Sequence, residues 1–147
     1  MNISLRRAGD SDREFLSALL EATMREYIEK VWGWDEASQR SHHASRVSVT
    51  MQYIVVVNGH AAGMIEIDRN PEAIVISNIQ IAPDSQGRGI GAAVVCLVID
   101  EADAARLPVA LQVLEVNPRA RRLYERLGFR VIAETPPHVQ MRREHEP

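Results

Sequence analysis

The stretch DSQGRGIGAAV, residues 84–94, decides how the rest of the chain is read. Gly87, Gly89 and Gly91 fall within five positions and lead straight into an apolar run. Glycine lowers helix propensity, yet Ile90, Val94, Leu97 and Val98 then recur at helical spacing as one expected buried face. Bare backbone at a helix start exposes N–H groups that have no partner inside the helix. Together with the positive end of the helix dipole they form a site for an anion, phosphate above all. A tight strand-to-helix turn that binds nothing has use for one glycine; three favour the anion.

Two phosphate-binding patterns compete for this loop. The Lys-Ser/Thr pair of a P-loop is missing, which argues against a nucleoside triphosphatase. The segment GRGIGA (87–92) does fit the dinucleotide pattern G-x-G-x-x-G/A, and Glu115 stands where a ribose-binding acid would lie. Its surroundings do not fit. That pattern follows its strand directly, whereas APDSQ intervenes here, and too little chain follows for a second nucleotide-binding half.

Outward from the loop the elements follow from periodicity. NISLRRA reads as a first strand, and the segment from Gly9 to about Ile28 as a helix opened by a Ser11–Glu14 capping box. A second helical segment is expected from Asp35 to about Val47. YIVVVNGHAAGMIEID reads as strand, Asn58-Gly59 turn, strand, and AIVISNIQI as a third strand of an antiparallel meander. After the glycine loop and its helix, VALQVLE is another strand. Asn117 and Pro118 start a last helix as N-cap and first residue, and Gly128 ends it. FRVIAE and VQMRR close the chain as strands. The order βααβββαβαββ predicts a mixed α+β domain, a sheet with helices on its faces.

Two separated motifs then coincide. The segment IAPDSQGRGIG (81–91) resembles the acetyl-coenzyme A motif Gln/Arg-x-x-Gly-x-Gly/Ala of the GCN5-related N-acetyltransferases, through Gln86, Gly89 and Gly91. Downstream, VNPRARRLYERLGF (116–129) resembles the family's second signature, in which Asn and Tyr precede Gly-Phe. The resemblance extends over most of the chain and includes the element order. It implies one N-acetyltransferase domain over residues 1–147. The implied α/β fold is a central, mostly antiparallel mixed sheet of about seven strands, flanked by about four helices and splayed between the fourth and fifth strands. It also implies transfer of an acetyl group from acetyl-coenzyme A to a primary amine of a small molecule or protein. A non-catalytic acyl-coenzyme A sensor is the alternative.

What the resemblance implies can be carried over residue by residue. Backbone N–H groups of Gln86, Gly87, Arg88, Gly89, Ile90 and Gly91 would hold the cofactor's pyrophosphate, with Arg88 either adding charge or solvated at the surface. The strand around Ile79, Gln80 and Ile81 would run beside pantetheine and offer an N–H to the thioester carbonyl. Asn117 would both cap its helix and meet the cofactor arm, with Arg121 as a further cofactor contact. Tyr124 is either the general acid for the departing thiolate or a core residue of the face formed by Ala120, Leu123 and Leu127. Many relatives place a carboxylate on the strand before the loop, where this chain has Ser77, Asn78 and Gln80. Glu66 on the neighbouring strand is the substitute base, acting through a water, ahead of Glu115 and Asp68; each also reads as a surface carboxylate. MREYIEKVWGWDEASQR (24–40) supplies Tyr27, Trp32 and Trp34 as an aromatic acceptor wall suited to a cationic amine, or else a helix pair burying its aromatics.

Composition sets the frame. The 147 residues, 46% hydrophobic and 25% charged, suit one domain with a real core. A net charge of −3 gives no field that would draw the protein to nucleic acid or to an anionic membrane. The single cysteine, Cys96, fits a reducing cytoplasm and reads as buried packing. No signal-peptide or transmembrane run is present in the sequence, and His42 and His43 lack the companions of a metal site. No metal is expected. A homodimer is common in the family, but no residue here demonstrates one.

Overall fold

The computed structural model describes residues 1–31 and 51–145, with side chains described as far as Thr23 in the first helix and again from Met51. Strand β1 is Ile3–Arg7, helix α1 Arg13–Val31, and strands β2, β3 and β4 are Met51–Val57, His60–Arg69 and Ile74–Ile81. Helix α2 (Ile90–Ala105), β5 (Val109–Leu114), α3 (Pro118–Arg126), β6 (Arg130–Thr135) and β7 (His138–Arg143) follow. The helix expected over 35–47 lies outside the described residues.

One seven-stranded sheet runs in the order β1-β2-β3-β4-β5-β7-β6. β2, β3 and β4 form the expected antiparallel meander and β1 pairs antiparallel with β2; both residues of the Asn58-Gly59 turn take positive φ, at 51° and 84°. β4 and β5 pair in parallel, which requires a crossover, and α2 provides it. Leu16 and Leu19 of α1 cover one face of the sheet with Ile54 and Met64. On the other face α2 and α3 close over Val55, Ile65, Ile67, Val109 and Leu111. Each such fully buried aliphatic side chain is worth about 1.5–3 kcal/mol in removed apolar surface. On α2 the buried row is Ile90, Val94, Val98 and Ala102. Val95 and Ile99 are buried as well, which centres the buried arc near Val98 and Ala102 and leaves Leu97, expected on that face, beyond its edge and 42% exposed.

β4 carries the feature that positions the site. Glu66 pairs with Asn78 but Ile67 pairs with Ile76, so Ser77 is an extra residue, a bulge. A bulge bends its strand and exchanges the faces on which later side chains fall. Ile74 and Ile76 before it, and Ile79 and Ile81 after it, therefore all join the same apolar cluster. Pairing between β4 and β5 also stops there, at Ile76 opposite Leu111. Beyond that point the two strands no longer pair, and among the described residues the β5-facing edge of β4 has no strand partner.

The entry to α1 differs from the expected Ser11–Glu14 box. A short 3-10 turn, Asp10–Asp12, precedes the helix, and the Gly9 N–H donates to Asp12 Oδ2 at 2.8 Å. Arg6 on β1 donates two hydrogen bonds of 2.9 Å to the same carboxylate. The Arg6 guanidinium, with the Gly9 N–H second, holds the Asp12 carboxyl at about 2. Asp12→Ala is expected to cost about 1–2 kcal/mol of stability, the usual size of a lost cap. Because the folded value is depressed, this contribution is complete above the ordinary carboxylate range and disappears as pH falls through about 2. Melting curves from pH 5 to 2 check both: the gap between wild type and the variant should narrow with acid.

Candidate active site

The glycine loop sits at the mouth of the opening between β4 and β5. A 3-10 turn, Pro83–Ser85, leads from β4 into it, and the Gln86 side-chain amide donates back to the Ile81 carbonyl at 2.9 Å. Gly87 and Gly89 take φ of 78° and 79°, the left-handed region that side chains rarely adopt, and Gly89 caps α2. The Gln86 N–H is used within the turn, reaching the Pro83 carbonyl at 3.3 Å. From Gly87 through Ala92, by contrast, no backbone N–H has an acceptor among the described residues; the first bond back into the helix is from Ala93 to Gly89, at 3.0 Å. The available run of donors is thus Gly87–Ala92, one residue further along than the sequence indicated.

These donors open into a cavity of about 790 Å³, within the range of pockets that enclose small molecules. Its walls come from both sides of the sheet: Ala22 and Thr23 of α1, Ile79–Ile81 of β4, the glycine loop, and one side of α3. The unpaired stretch of the two strands makes this passage through the sheet. At one end the Thr23 hydroxyl shares its hydrogen between the Leu19 carbonyl and Gln80 Oε1, each at 2.8 Å, and so ties α1 to β4. At the α3 wall Asn117 Oδ1 accepts from the Ala120 N–H at 3.2 Å, fulfilling the capping role read from the sequence.

Tyr124 lies on the same helix with 6% of its surface exposed, and its ring meets Phe129 edge-on at 5.8 Å. It lines the cavity, and its hydroxyl has no protein partner among the described residues. Burial pushes the phenol up to about 12. It is therefore a core residue of its helix that also lines the cavity.

Of the residues singled out from the sequence, Ile79, Gln80, Ile81, Gln86, Gly87, Gly89, Ile90, Gly91, Asn117 and Tyr124 come together around this cavity. Arg88 is exposed on the loop and does not line it. Arg121 faces elsewhere, 3.6 Å from Glu134 and 3.9 Å from Glu125, beside a smaller cavity of about 220 Å³ that also touches Glu115. Glu66 is fully buried on the α1 face, with Asn78 Nδ2 3.5 Å away, and neither it nor Asp68 lines the large cavity. Tyr27 stands in α1 one turn beyond Thr23, and Trp32 and Trp34 lie outside the described residues. Sequence reasoning missed Thr23 and three arginines of α3, Arg119, Arg122 and Arg126. The signal for the arginines was available: their spacing of i, i+3, i+7 defines one helical stripe.

The chain as a whole has counterparts among known proteins. The acetyltransferase (GNAT) family model matches residues 14–129. The chain belongs to the GNAT acetyltransferase family. It is therefore an acetyl-CoA-dependent N-acetyltransferase by family, and the seven-stranded splayed sheet is the GNAT fold. Solved structures share the fold at low identity. PH1933 from Pyrococcus horikoshii OT3 superposes with a TM-score of 0.80 at 18% identity, over 99% of this chain and 100% of that one. The PaiA N-acetyltransferase from Thermoplasma acidophilum, in complex with coenzyme A, gives 0.74 at 16%, over 99% and 100%. A GNAT acetyltransferase from Elizabethkingia anophelis with acetyl-CoA bound gives 0.70 at 17%, over 97% and 98%.

Among the described residues no helix is long and apolar enough to cross a membrane, and no group of three or more His, Cys, Asp or Glu side chains is placed to hold a metal ion.

Proposed function

We propose that this GNAT acetyltransferase acetylates a primary amine, with acetyl-CoA seated in the large cavity and the amine entering from the α1 side. The observation that carries the reading is the row of unpartnered amides, Gly87–Ala92, at the mouth of a cavity whose wall includes the unpartnered Tyr124 hydroxyl. These amides fit a pyrophosphate, and the free edge of β4 past Ile76 fits an amide-bearing pantetheine arm as a partial strand. The thioester, when bound, supplies the acetyl group. One backbone N–H on the free edge of β4, that of Ile79 or Ile81, would polarise its carbonyl, Asn117 would orient the arm, and Tyr124 would donate its proton toward the sulfur.

Among the described residues no carboxylate lines the cavity. Glu66 is nevertheless close along the sheet: its partner Asn78 stands two positions before Gln80, which does line it. In this reading Glu66 takes the amine's proton through a bridging water. Glu66→Gln is expected to lower kcat about tenfold at neutral pH with little change in KM for acetyl-CoA. Equal kcat would remove Glu66 from the reaction. Tyr27, Trp32 and Trp34 belong to the same proposal as the wall that selects cationic amines.

A thiol-release assay with acetyl-CoA and a panel of amines, from polyamines to peptide N-termini, tests the whole reading. Amine-dependent release led by cationic acceptors supports it. Tight binding of acetyl-CoA with no release to any amine would overturn it in favour of a binding module.

A further inference from the structure

The Gln80 side chain is 5% exposed, projects from β4 toward α1 and lines the large cavity. One end of its amide meets Thr23, and the other has no partner among the described residues. A desolvated amide end without a partner is unfavourable. This one is not sealed in the core; it opens where Gln80 meets the cavity.

Thr23 decides which end that is. Thr23 Oγ1 lies 2.8 Å from the Leu19 carbonyl and 2.8 Å from Gln80 Oε1, so two acceptor oxygens divide one hydroxyl hydrogen. A half-turn of the Gln80 amide exchanges its oxygen and nitrogen without changing the shape of the side chain. The amide nitrogen then donates to Thr23 Oγ1. Thr23 in turn donates to Leu19, the backward bond that a helical threonine makes to the residue four before it. The two short contacts become two complete hydrogen bonds in place of one divided between them. The chain of bonds ends on Oε1, an acceptor with no hydrogen of its own, at the cavity.

We propose that Gln80 Oε1 accepts a hydrogen bond from an N–H of the substrate amine, and that Thr23 is the positioning residue that keeps this oxygen, and not the amide nitrogen, turned to the cavity. This rests on the proposed entry of the amine from the α1 side. The N–H groups of Ile79 and Ile81 lie on the free edge of β4, one residue away in either direction. An amine held by Gln80 is thus beside the thioester carbonyl that such an N–H would polarise. A neutral carbonyl holds an N–H without removing the proton, so it orients the nitrogen lone pair and leaves proton removal to another group. It also selects: an oxygen at this place welcomes an amine and repels a carbonyl or carboxylate, whereas the opposite amide orientation would do the reverse.

Two measurements on the full chain test this. In nitrogen-labelled protein the Gln80 side-chain amide is identified by its absence in Gln80→Met. Its protons are expected to show an NOE to the Thr23 methyl and to exchange with water about tenfold more slowly than the side-chain amide of the exposed Gln112. Thr23→Val should abolish the slow exchange and Thr23→Ser should restore it. Exchange as fast as that of Gln112, with no NOE to Thr23, overturns this inference. In the thiol-release assay with the panel amine of highest kcat/KM, Thr23→Val and Gln80→Met should each raise KM for the amine about tenfold, the loss of one hydrogen bond. KM for acetyl-CoA should stay within about twofold, and Thr23→Ser should behave as wild type. A rise in KM for acetyl-CoA instead, or an unchanged KM for the amine, overturns this inference and leaves amine acetylation standing. Should Thr23→Val not fold, the wild-type NOE and exchange rate decide. Absence of release to every amine of the panel overturns the proposed function, and this inference with it.

Discussion

Replacing Gly89 with valine is expected to weaken acetyl-CoA binding about a hundredfold. Gly89 holds φ 79° as the cap of α2, where a β-branched side chain is strained. A Cβ there would meet nothing within 4 Å, so the effect does not come from a collision inside the protein. It comes from the backbone: relieving the strain rotates the peptide planes that aim the Gly87–Ala92 amides. Losing the aim of one or two such donors, each worth about 1.5–3 kcal/mol against a charged partner, gives about 3 kcal/mol, or roughly a hundredfold. Gly89→Ala, without the β-branch, should lose about tenfold. Calorimetry reads the affinity, and a thermal melt alongside separates strain in the free protein from lost contacts. Unchanged affinity in the valine variant would remove the pyrophosphate from this loop.

The same loop shows what was legible beforehand. Its glycines, the Asn58-Gly59 turn and the Asn117-Pro118 helix start each dictate local backbone, and each appears where the chemistry of those residues requires. The bulge at Ser77 was legible too, although it takes a closer reading: isoleucines at 74, 76, 79 and 81 shift parity between Ile76 and Ile79. A strand cannot keep all four on one face without an extra residue, and that residue opens the site. What escaped the sequence was competition among partners. Ser11 and Glu14 had the spacing of a capping box, but Asp12 satisfies the chain start with help from Arg6, a residue on another element. Arg121 and Arg122 are adjacent and alike. Only helical phase, fixed by the buried Tyr124 and Phe129, sends one to Glu134 and the other to the cavity.

Tyr124→Phe should lower kcat by about ten- to a hundredfold while KM for acetyl-CoA changes little. Phenylalanine keeps the ring, its burial and its edge-on contact with Phe129, so only the hydroxyl is lost. A phenol held at about 12 stays protonated throughout the working range and is ready to donate. Such a weak acid would be a poor match for a thiolate in water, where a thiol titrates near 8.5. Because thiolate already leaves readily, the effect stays at the low end for general acids. Equal kcat in the variant would leave Tyr124 a core residue only. Stability gives an independent readout. The folded value is raised, so the contribution is complete below about 10, the ordinary phenol range, and is lost as pH rises toward about 12. Wild type should therefore lose on the order of 2 kcal/mol over that window, and Tyr124→Phe should lose less. A variant that retains the base-induced loss would place the titration on another group. A variant that loses both the titration and the turnover ties the buried hydroxyl to the chemistry.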